Sequence, residues 1–155
     1  MKHLILIGLV ALAGCSSVNN TTQHSYTETQ VAPNGVTLLP SANMWVSFEQ
    51  VANIYDDTMA CLGLTADGPD VEFKSFTKWH LGGAWALYHP GGLVMINIDE
   101  KDTSAGFPER AAWTDTDALK HEFVHHILHE NGAPYHDGES SEMFKKCGIG
   151  VEVNN

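Results

Sequence analysis

The sequence predicts a small α+β domain: an N-terminal helix, a small, mainly antiparallel sheet, a long histidine-bearing helix and a short C-terminal helix. Three observations predict it. A capped helical stripe runs from Ser47 to Gly63, short alternating strands separated by turn residues lie between Val71 and Ile98, and a second helical pattern runs from Thr114 to Gly132. At 155 residues the chain has room for one domain of this kind.

The first helix is announced by its start. Ser47 and Gln50 have capping-box spacing, and Val46 and Val51 flank them as a hydrophobic staple. Phe48, Val51, Ala52, Tyr55, Met59 and Leu62 then recur at helical spacing, and Gly63 ends the run. After the turn residues Ala66-Asp67-Gly68-Pro69, the stretch Val71–Phe76 alternates as a half-buried strand does. Two more strands fit Ala84–Tyr88 and Leu93–Ile98, with Pro90-Gly91-Gly92 as a hairpin turn between them. Polar, turn-rich sequence fills Asp99–Gly106. Thr114-Asp115-Thr116-Asp117 then opens the second helix with acids in its first turn, and Asn131-Gly132 closes it with an easily formed left-handed cap. A last short helix fits Ser140–Cys147.

The chain begins MKHLILIGLVALAGC, a short basic start and an apolar run too short to span a bilayer permanently. Leu12-Ala13-Gly14-Cys15 resembles a bacterial lipobox. The resemblance implies a signal peptide over residues 1–14, cleavage before Cys15 and acylation of that cysteine. Residues 15–40 then read as lipidated cysteine and polar, flexible tether, with His24 inside it, and residues 41–155 as the domain. The expected location is the bacterial cell envelope, anchored by lipid and facing the periplasm from an outer membrane where there is one. Cys61 and Cys147 remain as an even pair in an exported chain, and a disulfide between them is expected.

Without residues 1–14 the basic count falls by Lys2 from 8 to 7 against 19 acids, so the net charge is 7 − 19 = −12 with histidines neutral. That balance repels phosphate backbones and excludes nucleic acid as an expected partner. It also provides no basic patch for anionic lipid heads, which leaves the acyl chains as the membrane contact.

The chemistry concentrates in HEFVHHILHENG, residues 121–132. On a helix His121 and His125 stand on one face a turn apart, and both ring nitrogens can reach one zinc ion. Glu122 follows one residue round, where a carboxylate faces water on the metal without being a ligand. Leu119, Phe123 and Ile127 make one apolar face and Val124 and Leu128 widen it, so the polar groups of this helix need partners. A catalytic zinc usually has three protein ligands. His129 is i+8 from His121, roughly 12 Å along the axis, and cannot share its ion on a straight helix. That leaves His136, Asp137, Glu139 and Glu142, of which His136 after the Asn131-Gly132 turn and Glu142 as the carboxylate alternative are the main candidates. His126 points away from the pair.

His121-Glu122-x-x-His125 resembles the motif of the zincin metallopeptidases, and HEFVHHILHENGAPYHDGESSEMF, with its later His136 and Phe144, is similar to the compact SprT-like kind. Metzincins match poorly, with Leu128 and Asn131 at the positions of their glycine and third histidine. The resemblance covers about 25 residues and implies a minimal zincin-like domain. It assigns zinc to His121, His125 and His136 and the general base to Glu122, which takes a proton from water and passes it to the leaving nitrogen of a peptide bond. Tyr135, Tyr88 and His89 are the candidate oxyanion donors, and Leu93–Ile98 is the expected edge strand along an extended peptide. The expected substrate is a peptide or protein. With about 115 residues of domain there is little room for a walled cleft, which suggests a dedicated partner protein. The alternative is an envelope lipoprotein without catalysis, whose cluster of His121, His125, His126, His129 and His136 buffers zinc, nickel or copper.

Overall fold

The computed structural model describes residues 23–75, 86–98, 115–133 and 142–149. The elements in chain order are β1 (His24–Tyr26), β2 (Gln30–Val31), β3 (Thr37–Leu38), β4 (Ser41–Met44), α1 (Phe48–Leu62), β5 (Asp70–Lys74), β6 (Ala86–His89), β7 (Leu93–Asn97), α2 (Asp115–Glu130) and α3 (Glu142–Lys146). This is a small α+β domain. The main sheet has the order β2-β3-β5-β7-β6, and β1 pairs separately with β4. Its outer pairings, β2 with β3 and β6 with β7, are antiparallel like β1 with β4, while β3-β5-β7 run parallel through the centre.

The alternation in β5 and β7 becomes rows across the sheet. Val71 stands beside Val94 and Val94 beside Tyr88; Phe73 stands beside Ile96 and Ile96 beside Ala86. All six are buried. Tyr88 makes ring contacts with His126 and His129, so α2 lies over this face, and α1 packs along α2 through the Tyr55–Phe123 edge-to-face pair. α1 forms as its sequence dictates. The Ser47 side chain accepts from the Gln50 amide, the Gln50 side chain accepts from the Ser47 amide, and Gly63 ends the helix at φ 70°.

Two expectations are corrected here. The folded part begins well before residue 41: β1, β2 and β3 all lie within the stretch expected to be tether. Their sequence is polar, but Val36 and Leu38 are fully buried and Tyr26 accepts the Phe48 amide at 3.0 Å. His24 is thus a strand residue opposite Met44. The second correction concerns the sheet edge. β7 is not the edge, because β5 takes one side of it in parallel and the His89–Gly92 turn folds β6 back onto the other. β6 occupies the end of the described sheet.

Cys61, at the end of α1, is joined to Cys147, one residue past α3, with Cα atoms 5.7 Å apart and a separation of 86 in sequence. Closing a loop of that length stabilises the fold by about 4.6 kcal/mol in the chain-entropy account.

Candidate metal centre

α2 is buried on most of its circumference. Leu119, Phe123, Val124 and Ile127 are fully buried, and His121, Glu122 and His126 retain only 8%, 6% and 3% of their exposure. The helix ends as expected. Gly132 has φ 86°, its amide donates to His129 and the Ala133 amide donates to Leu128, a left-handed closure that satisfies the last carbonyls. α2 therefore keeps one turn between His121 and His125 and presents both rings to the same place.

The Nε2 atoms of His121 and His125 lie 3.2 Å apart. Two nitrogens bound at 2.0–2.1 Å to one tetrahedral ion stand about 3.3–3.4 Å apart. The pair thus fits zinc with almost no movement; without an ion, one ring can donate an N–H to the other. Phe144, on α3, packs on both imidazoles with ring centroids 4.9 Å from each. Glu122 is buried one residue round the helix from His121.

The third ligand is not supplied by the described residues: among them no three histidine, cysteine or acidic side chains gather around one point. Glu142 is exposed and its carboxylate pairs with Lys145 at 3.1 Å. His136 and Tyr135 lie outside the described residues, as do Asp137, Glu139 and Cys15.

The other histidines of α2 serve the core. His126 donates from Nε2 to the carbonyl of Asp67 at 2.8 Å, and Tyr55 donates to the same carbonyl at 2.9 Å. Burial holds His126 below the usual histidine range, an effect only partly offset by the bond to Asp67. Its Nδ1 is buried without a hydrogen-bond partner, as a neutral ring tolerates and a charged one does not. Burial, with the nearby Asp67 second, also pushes the Tyr55 phenol upward. His129 turns to the sheet, its Nδ1 2.9 Å from the Tyr88 hydroxyl. Tyr88 is thereby committed to packing against α2, and His89 is exposed at the end of β6. The Asp67 junction escapes sequence reasoning because its acceptor is a backbone carbonyl 59 residues earlier. The burial of His126 was readable, however, since it stands three and seven residues from Phe123 and Leu119 on the core stripe.

No protein-family model matches the chain, and neither a curated protein nor a solved structure matches it.

Proposed function

We propose that the chain is a zinc-dependent metallopeptidase of the cell envelope, anchored by lipid at Cys15, whose zinc is held by His121, His125 and, following the resemblance to zincins, His136. The observation that carries this reading is the 3.2 Å approach of two imidazole Nε2 atoms, one on buried His121 and one on half-buried His125, beside a buried glutamate on one helix. Zinc bound in that place would supply a Lewis acid for an amide carbonyl and for water. His121 and His125 would hold the ion through their Nε2 atoms, with the Phe144 ring packed against both imidazoles. Glu122 takes a proton from the attacking water and delivers it to the departing nitrogen. Its burial strengthens its interactions with charge in the site.

The competing reading, a histidine cluster that buffers metals, requires several free imidazoles. His126 and His129 are committed to Asp67 and Tyr88, which speaks for a single defined site. The test is metal content by mass spectrometry on the chain from residue 16 onward, which keeps β1 and β2, together with cleavage of a peptide library. One zinc per chain is expected in the wild type and in Glu122→Gln, and none in His125→Ala; only the wild type should cleave. Several weakly bound metals, reduced only in part by His125→Ala, would sink the peptidase reading.

A further inference from the structure

Phe144 touches both candidate ligands at once. Its ring lies against His121 at 51° and against His125 at 62°, and it is itself fully buried. An imidazole on a helix has two torsions about which to swing away from its neighbour. A flat ring packed on both imidazoles removes much of that freedom and leaves the two Nε2 atoms facing one point. What holds Phe144 there is not the helix that carries it, since α3 has five residues and cannot persist alone. α3 is held by burial of Phe144 and Ile149, by Lys120 and Lys146 donating to the carbonyls of Cys147 and Leu62, and by the Cys61–Cys147 bond three residues past Phe144. Cys61 is half-buried, whereas Cys147 is buried.

We propose that Phe144 is a positioning residue for the His121–His125 pair, and that the Cys61–Cys147 disulfide acts through it to make zinc affinity depend on the redox state of the chain. The proposal rests on the zinc site proposed above. The reductant is a dithiol. Its thiolate attacks the more accessible sulfur, that of Cys61, the S–S bond breaks, and Cys147 leaves as a thiolate. The second thiol then attacks the mixed disulfide, Cys61 leaves, and the dithiol departs as its own disulfide. Two electrons pass to the protein, and the two protons of the dithiol end on the cysteines. α3, no longer tied to α1, lifts Phe144 from the imidazoles more often, and each ring regains its torsional freedom.

The test compares the oxidised chain, the chain reduced with dithiothreitol that is then removed under nitrogen, and Phe144→Leu with the disulfide intact. Zinc dissociation constants come from competition with a chromophoric chelator, and imidazole ¹H–¹⁵N spectra are recorded without zinc. Reduction and Phe144→Leu are each expected to weaken zinc roughly tenfold or more, in the range seen when groups that orient a metal ligand are removed. The ring resonances of His121 and His125 should shift while those of His126, bonded to Asp67, stay in place and report an intact fold. Unchanged affinity and resonances in Phe144→Leu overturn the positioning role; unchanged values on reduction overturn the redox dependence. Should reduction unfold the chain, zinc binding is lost altogether and Phe144→Leu decides the positioning role. Absence of zinc from the oxidised wild type defeats the peptidase reading by itself, and the zinc-free ring resonances then decide whether Phe144 positions the pair.

Discussion

Replacing Gly68 by alanine sets a new methyl group against the backbone of another strand segment. A Cβ built there would lie 2.0 Å from the Val36 amide nitrogen, 2.3 Å from the Gly35 carbonyl carbon and 2.6 Å from the Val36 Cα. None of these is the movable end of a side chain. Reaching even 3.4 Å requires the two segments to part by 3.4 − 2.0 = 1.4 Å. The segment that must move carries the Asp67 carbonyl, which receives Tyr55 at 2.9 Å and His126 at 2.8 Å, and Pro69, which receives the Thr37 amide at 3.0 Å. Separation on that scale breaks these bonds. Leaving two buried donors unmet costs about 1–3 kcal/mol each, so the expected loss is about 2–6 kcal/mol before any disturbance of Val36 is counted. For a domain of ordinary stability, about 5–15 kcal/mol, that is a large fraction. Urea unfolding followed by tryptophan fluorescence measures it, with Gly63→Ala as the control. Gly63, unlike Gly68, has positive φ but nothing within 4 Å, so alanine there should cost only about 1–2 kcal/mol of backbone strain. A Gly68→Ala loss no greater than that of Gly63→Ala would refute the close-approach reasoning.

Ser47→Ala removes one half of the capping box of α1 and should cost about 1 kcal/mol in the same unfolding assay, with the zinc stoichiometry unaltered. Tyr55 supplies a pH dependence. Its pKa is raised in the folded chain, so below about 10 both states are protonated and its contribution is complete; above that the unfolded chain loses the proton first and stability falls as pH rises. The slope from this one group is up to about 1.4 kcal/mol per pH unit, and unfolding midpoints between pH 8.5 and 11 should fall less steeply in Tyr55→Phe. Glu122→Gln should retain zinc while peptide hydrolysis falls by about 10²–10⁴, the usual worth of a positioned general base; a variant that still cleaves within threefold of wild type removes Glu122 from the mechanism.

The elements legible in the sequence are those whose signals are local. Ser47, Gln50 and Gly63 mark both ends of α1 within the helix itself, and the alternation of Val71 with Phe73 and of Val94 with Ile96 states which face of the sheet is buried. The capped stretch from Asp115 to Gly132 and the pairing of Cys61 with Cys147 were equally readable. β1 to β4 were not. They are two to four residues long, so no periodicity can develop, and their burial is provided by partners far along the chain, such as Phe48 for Tyr26 and Val71 for Leu38. Sheet order was hidden for the same reason. A run of apolar residues such as Leu93-Val94-Met95-Ile96 has the same appearance at an edge as beside a parallel neighbour. At the candidate site, the i, i+4 histidines follow from helical spacing alone, whereas the packing of Phe144 on both rings joins residues 19 and 23 positions apart in the chain, which no single stretch encodes.

The early start of the fold sets how far the proposed anchor lets the domain travel. From Cys15 to His24 there are 24 − 15 = 9 residue steps, which fully extended reach about 32 Å. That is about the diameter of a small domain, where a tether running to residue 40 would have allowed more than twice as much. If Cys15 carries the proposed lipid, a domain on so short a leash would sweep a thin layer above the lipid surface and meet only what enters that layer. Its effective concentration toward other membrane-bound chains would be high, and toward solutes deep in the surrounding compartment it would gain nothing.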